Sequence, residues 1–247
     1  MGASGIRMAA ERSGAARLYE FIAALSHELR NPLGAIRTSL YILEHDRSGR
    51  EAVTEARMVI DRQVSQLVRM LDDLMDVTRI PENGIRLQRR RVDVCELART
   101  AVEESRPHFE AGDVRLVARL APGPLHAQVD GARLQQALAH LLANAAKFTP
   151  PGGTTTVSVT GDGEGSVVLT VADTGCGIEP ALLPRLFQPF TQGDRTLDRR
   201  TGGLGIGLAL VKHLVELHGG EVRACSSGPD QGAEFAVRLP LDADGGG

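Results

Sequence analysis

The sequence predicts an α+β protein in two parts. An N-terminal antiparallel helical hairpin pairs with a second copy into a dimeric four-helix bundle, and an α/β sandwich follows it. Two observations predict this. Residues 8–80 carry long apolar stripes at helical spacing with little glycine to interrupt them. From residue 85 onward, short strand-like and helix-like segments follow one another without the strand–helix–strand rhythm of a doubly wound sheet. The expected domains are therefore 8–80 and 85–242.

The first helix is marked by Ile22, Leu25, Leu29, Leu33, Ile36, Leu40 and Leu43, at steps of three and four. At about 100° per residue these fall within one stripe roughly 80° wide. Arg47-Ser48-Gly49-Arg50 breaks the pattern, and Val53, Ile60, Val64, Leu67, Leu71, Leu74 and Met75 mark a second helix. One hairpin cannot bury two broad apolar stripes alone, so a homodimer is expected. Ile80-Pro81-Glu82-Asn83-Gly84 ends the second helix and opens a linker. Beyond it, residues 94–110 read as helix and 114–120 as strand. Asp130 can cap a helix that reaches about Lys147. Residues 154–160 and 167–171 alternate as strands around a 161–165 turn. Residues 208–217 return to helix, 221–224 and 234–239 close as strands, and 242–247 is a loose tail.

A formal net charge of −3 gives no electrostatic case for nucleic acid or an anionic membrane. No window approaches the roughly 20 apolar residues of a membrane span, and the N-terminus lacks a signal-peptide core. A cytoplasmic location is expected. Cys95, Cys176 and Cys225 lie far apart without metal-ligand spacing, which suits free thiols in a reducing compartment. Basic residues are almost all arginine; the only lysines are Lys147 and Lys212, so a lysine inside a polar motif points to a site.

Five segments carry candidate chemistry. Ser26-His27-Glu28-Leu29-Arg30-Asn31-Pro32 lies inside the first helix, with His27 about 160° from the apolar stripe and Asn31 on the same outer face. An exposed imidazole beside a carboxylate suits nucleophilic transfer, with Glu28 taking or orienting a proton; most such histidines are only solvated. Asn144-Ala145-Ala146-Lys147-Phe148-Thr149 ends a helix. The Asn144 carbonyl suits Mg²⁺ and Lys147 suits phosphate, although the same residues also serve as helix-end caps. Asp173-Thr174-Gly175-Cys176-Gly177-Ile178 follows a strand; a carboxylate there can accept an exocyclic amine such as that of adenine, or simply form a turn. Gly203-Leu204-Gly205-Ile206-Gly207-Leu208 opens a helix whose N–H groups can face phosphate, with neither Walker nor dinucleotide spacing. Between the last two, residues 180–201 read as a lid with Phe187 and Phe190 near its start.

In this order and spacing, the segments resemble the catalytic core of bacterial sensor histidine kinases across nearly the whole chain. They match that family's H-box, N-box, first glycine box, F-box (Leu186-Phe187-Gln188-Pro189-Phe190) and second glycine box. The resemblance implies a dimerisation and phosphotransfer hairpin followed by a Bergerat-type ATP-binding sandwich, the kind shared with gyrase and mismatch-repair ATPases. It implies a protein-histidine kinase that autophosphorylates His27 from ATP and passes the phosphoryl group to an aspartate of a response-regulator receiver domain. Glu28 becomes the base, Asn144 the Mg²⁺ ligand, Lys147 a phosphate ligand and Asp173 the adenine reader. Gly175, Gly177, Gly203, Gly205 and Gly207 shape the nucleotide loops and lid hinge. Asn31 sits where related kinases orient water to dephosphorylate the partner. Two departures stand out: His140 replaces an earlier asparagine of the N-box, and Asp230 replaces a glycine of a weakened third glycine box. Asn31 and His140 leave a second reading open, a dimer that binds ATP without autophosphorylating and is biased toward phosphatase action; a plain ATPase of the superfamily is the third. The stretch before His27 is too short for a sensor domain, which is expected on another chain or in a longer parent.

Overall fold

The computed structural model describes residues 3–45, 50–80, 84–191 and 204–242. These divide into two compact units, a helical one comprising residues 3–78 and 204–206 and a mixed one comprising 79–191 and 207–242.

The helical unit is built on α1 (Ala3–His45) and α2 (Arg50–Arg79). Helix α1 starts earlier than the apolar stripe indicates and continues through Pro32. The turn expected at residues 47–49 lies outside the described residues. In both helices the apolar stripe is shielded along one side only. On α1, Leu25, Leu29, Ile36 and Leu43 are partly covered and Pro32 is buried, while Ile22, Leu33 and Leu40 are exposed. On α2, Ala56 and Val77 are buried while Val64, Val68, Leu71 and Met75 stay open.

The mixed unit is a two-layer sandwich. Strands β2 (Arg115–Leu120), β4 (Thr154–Gly161), β5 (Ser166–Asp173), β6 (Glu221–Cys225) and β7 (Ala233–Pro240) form one sheet in the order β2-β4-β5-β7-β6. Only the β2–β4 pair is parallel; the others are antiparallel. Helices α3 (Val94–Ala111), α4 (Gly131–Phe148) and α5 (Gly207–Leu217) pack together and on the sheet. Alternation along the strands explains the layering. Val157, Val159, Val167, Leu169, Val171, Phe235, Val237 and Leu239 are buried, while Thr156, Ser158, Thr170 and Arg238 fall at the intervening positions. Helix α4 meets this layer with Leu134, Ala137, Leu138, Leu141, Leu142 and Ala145, all buried. Each such leucine contributes about 1.5–3 kcal/mol relative to exposure.

A second, two-stranded sheet joins β1 (Arg90–Asp93) to β3 (His126–Val129). It brings the segment after the helical unit to the start of α4. There Asp130 caps the helix, its carboxylate accepting N–H bonds from Arg133 (3.2 Å) and Gln88 (2.8 Å). Its own N–H donates to Nε2 of His218 at 2.9 Å, and His218 Nδ1 lies 2.7 Å from the Leu214 carbonyl. A backbone N–H can only donate, so Nε2 is the acceptor and Nδ1 carries the proton. The buried, neutral His218 thus ties the start of α4 to the end of α5.

Burial holds the His218 imidazole below its ordinary pKa, with the Leu214 bond opposing the shift. The unfolded chain takes up this proton near about pH 6.5. Below that pH the unfolded state binds the proton more readily than the folded state. Stability from this group is therefore complete above about 6.5 and falls with pH until the folded imidazole also titrates. His218→Gln should cost about 1–3 kcal/mol at pH 8. In urea titrations across pH, the gap from the wild type should narrow below about 6.5. A gap that stays constant with pH would contradict this account.

Candidate functional site

Helix α4 carries the first part of the site. His140, Asn144 and Lys147 recur at steps of four and three, so they share one face away from the buried leucines. All three are partly exposed. The Lys147 ammonium stands over the Phe148 ring, 4.4 Å from its centre.

Both glycine-rich segments meet this helix. At its C-terminal end the Phe148 carbonyl accepts the N–H of Cys176 at 3.1 Å, fastening the loop after β5 to α4. On its polar face His140 sits against the first residue of α5: a Cβ on Gly207 would lie 3.1 Å from the imidazole Nδ1. The N-terminus of α5, with its unpaired N–H groups, therefore opens beside the face that bears Asn144.

Asp173 ends β5 on the helix-facing side of the sheet. Its Oδ1 accepts the Gly175 N–H at 2.8 Å, and burial pushes its carboxyl above the usual range. A desolvated carboxylate of this kind is improved by an N–H donor, and an exocyclic amine supplies one.

The loop around Gly175–Ile178 is held from beyond by the turn between β6 and β7. The Gly175 carbonyl accepts the Gly232 N–H (3.0 Å), and the Cys176 carbonyl accepts the Asp230 N–H (2.7 Å). Two glycines make the approach possible. Gly177 has φ +69° and a Cβ there would overlap the Gly228 carbonyl; Gly232 has φ +70° and its Cβ would overlap the Asp173 carbonyl. Ser226 stitches the two loops, accepting the Ile178 N–H at 2.9 Å and donating to the Gly232 carbonyl at 2.7 Å. Asp230 adopts φ +58°, the left-handed conformation a glycine takes freely. Ser226 escaped notice in the sequence because a serine after a strand resembles any turn residue.

Asn144, Lys147, Asp173, Gly175, Gly177 and Gly207 are thus brought together within the mixed unit. Gly205, with φ +67°, precedes α5 between the buried Leu204 and Ile206. Gly203 lies outside the described residues, as does the stretch 192–201 of the expected lid. The described part of that lid, 180–191, holds a short 3-10 helix, Leu183–Arg185. His27, Glu28 and Asn31 belong to the helical unit. His27 and Asn31 are exposed on α1 and Glu28 is partly covered. Among the described residues no group of three or more His, Cys, Asp or Glu side chains is placed to hold a metal ion. No described helix is long and apolar enough to cross a membrane.

Two family models match the chain in tandem. The His Kinase A (phospho-acceptor) domain matches residues 17–83, and the Histidine kinase-, DNA gyrase B-, and HSP90-like ATPase matches residues 129–243. The chain is 38% identical to the "Probable sensor histidine kinase TcrY" of Mycobacterium tuberculosis, over 90% of this chain and 46% of that protein. It is 35% identical to the "Histidine protein kinase DivJ" of Caulobacter vibrioides, over 95% of this chain and 39% of that one. It therefore spans less than half the length of either relative. A solved structure of full-length ShkA in complex with AMPPNP superposes with a TM-score of 0.64 at 29% identity, covering 91% of this chain and 46% of that one. The tandem of phospho-acceptor helices and ATP-binding sandwich makes this chain a member of the bacterial sensor histidine kinases, of which it carries the catalytic core.

Proposed function

We propose that the chain transfers the γ-phosphoryl group of ATP to His27 and then to an aspartate on a response-regulator receiver domain. The observation that carries the reading is the convergence on α4: its polar face stands beside the opening of α5, and its end is bonded to the loop that follows Asp173. That arrangement fits a nucleotide with its base at Asp173 and its phosphates along Asn144, Lys147 and Gly207. We assign residues 8–80 to dimerisation and phosphotransfer and 85–242 to ATP binding.

In the first step an imidazole nitrogen of His27 attacks the γ-phosphorus. A P–N bond forms, the bond to the β-phosphate oxygen breaks, and ADP leaves with the electron pair. Glu28 accepts or orients the imidazole proton. In the second step the P–N bond breaks as a receiver carboxylate takes the phosphoryl group. Asn144 would hold Mg²⁺ through its side-chain carbonyl, and the ion would neutralise phosphate charge there. The donor chemistry fits it: such an ion takes one or two protein oxygens and the rest from phosphates and water, and the Asn144 carbonyl supplies one. Lys147 adds a positive charge, and the glycines at 175, 177, 203, 205 and 207 allow close backbone approach. Asn31, on the outer face with His27, would orient water for dephosphorylating the receiver. The exposed apolar edges on α1 and α2 suit a homodimer, and a separate sensor domain would supply the input. ATP as substrate and three free thiols fit a cytoplasmic setting.

Incubation with γ-labelled ATP and Mg²⁺ should place an acid-labile, base-stable label on the chain, absent from His27→Gln. An unlabelled wild type with nucleotide demonstrably bound would refute the reading. His140 offers an imidazole where an asparagine would offer a hard oxygen, a poor exchange for Mg²⁺. His140→Asn should tighten binding of a non-hydrolysable ATP analogue by up to about tenfold with Mg²⁺ and much less without it. Equal effects in both titrations would remove His140 from the phosphate end. Gly177→Ala should lose most nucleotide affinity and about 1–3 kcal/mol of stability, measured by calorimetric titration and thermal melting.

A further inference from the structure

We infer that Thr155 is a positioning residue of the base subsite, acting with Asp173 to select adenine. This rests on the proposed role of Asp173 as the group that accepts the adenine amino group.

The sheet register sets the two side chains together. Thr155 on β4 stands directly opposite Asp173 on β5, and one row across the sheet reads Leu116, Thr155, Asp173, Ala233. Side chains directly opposed on one face have Cβ atoms about 4.5–5.5 Å apart. At that spacing a hydroxyl and a carboxylate are near enough for one water to join them. On the other flank of Asp173, Ala233 brings no polar side chain, and its backbone N–H donates to the carboxylate.

The hydroxyl is out of place in any purely structural account. Thr155 is fully buried, and its Oγ1 has no hydrogen-bond partner among the described residues. It continues the inward-facing series that Val157 and Val159 occupy on the same strand. A valine would fill the same space without the penalty of a buried, unpaired hydroxyl. The orphan lies beside a carboxylate that is itself desolvated and receives the Gly175 N–H on one oxygen.

An O–H donated to that carboxylate, directly on a small rotation or through one water, would add to the Gly175 and Ala233 N–H bonds and favour its ionised form. Held so, Asp173 accepts from an amino group at the 6-position of a purine. Guanine presents a carbonyl oxygen there and is repelled. Thr155 thus acts through Asp173, and its effect appears only with bases that engage the carboxylate.

The test compares ATP, GTP and purine riboside triphosphate, which lacks the amino group, on the full chain. Affinities are measured for the wild type, Thr155→Val, Thr155→Ser and Asp173→Asn. Thr155→Val should weaken ATP about tenfold while leaving purine riboside triphosphate nearly unchanged, so that the preference between them collapses. Thr155→Ser, which keeps the hydroxyl, should restore the preference. In the Asp173→Asn background, Thr155→Val should have no further effect on ATP. Equal weakening of every nucleotide by Thr155→Val, or of none, overturns the inference. Loss of preference in Asp173→Asn without any change in Thr155→Val overturns Thr155 alone. An intact preference in Asp173→Asn overturns the reading of Asp173 on which it rests.

Discussion

The nucleotide end of the mixed unit depends on backbone passing backbone with no side chain between. The loop after β5 is gripped from both sides, by the Phe148 carbonyl at the end of α4 and by the turn at Gly228–Gly232. A Cβ at Gly175 would overlap the Phe148 carbonyl, and one at Gly177 or Gly232 would overlap backbone where the turn meets the loop. Because the grip is made of main-chain bonds, it does not rely on rotamers, and the loop is set before any ligand arrives. Asp173, at the root of that loop, inherits its position from this constraint. So does the end of α4, whose polar face is aligned to the loop by the same Cys176–Phe148 bond. Pre-set geometry matters here because every loop fixed in advance is ordering that nucleotide binding need not supply.

Long-period features were legible in the sequence, and features made by distant pairing were not. The stripes of α1 and α2, the alternation of β4 and β5, and the Asp130 cap could all be read from residue spacing. Strands β1 and β3 could not. Arg90-Arg91-Val92-Asp93 and His126-Ala127-Gln128-Val129 are four residues each, charged or mixed, and exist because they pair across more than thirty positions. The same division holds at the site. Asn144 and Lys147 could be read as an oxygen donor and a point charge at the end of α4, and His140 as a departure from the family's N-box. Ser226, His218 and Thr155 carry no such mark: a serine in a turn, a histidine at a helix end and a threonine in a strand are all ordinary locally. Their roles appear only when hydrogen bonds and cross-strand register are known.

The half-shielded stripes of the helical unit have an energetic consequence. Val64, Val68, Leu71 and Met75 form a line along α2, and Ile22, Leu33 and Leu40 another along α1. A line of this length is far larger than the scattered apolar residues that surfaces normally carry. Two such lines from a second copy would complete a bundle at ordinary coiled-coil spacing.

Under the proposed function His27 must meet two reactants in turn, the γ-phosphate of ATP and then a receiver carboxylate. A residue that serves two partners cannot be enclosed by a pocket shaped for either. Its exposure on α1 is therefore a requirement of the reaction, and it limits what the helix can contribute: one neighbouring carboxylate at Glu28 and little exclusion of water. Electrostatic stabilisation of phosphoryl transfer must then come from the nucleotide side, where preorganised N–H groups and cations can be aimed at the developing charge. That division of labour accounts for the contrast between the two units. The acceptor sits on a plain solvent-facing helix, whereas the donor site is bound by interlocked loops, a capped helix and a buried histidine. Rigidity is concentrated where the chemistry needs fixed dipoles and omitted where it needs access.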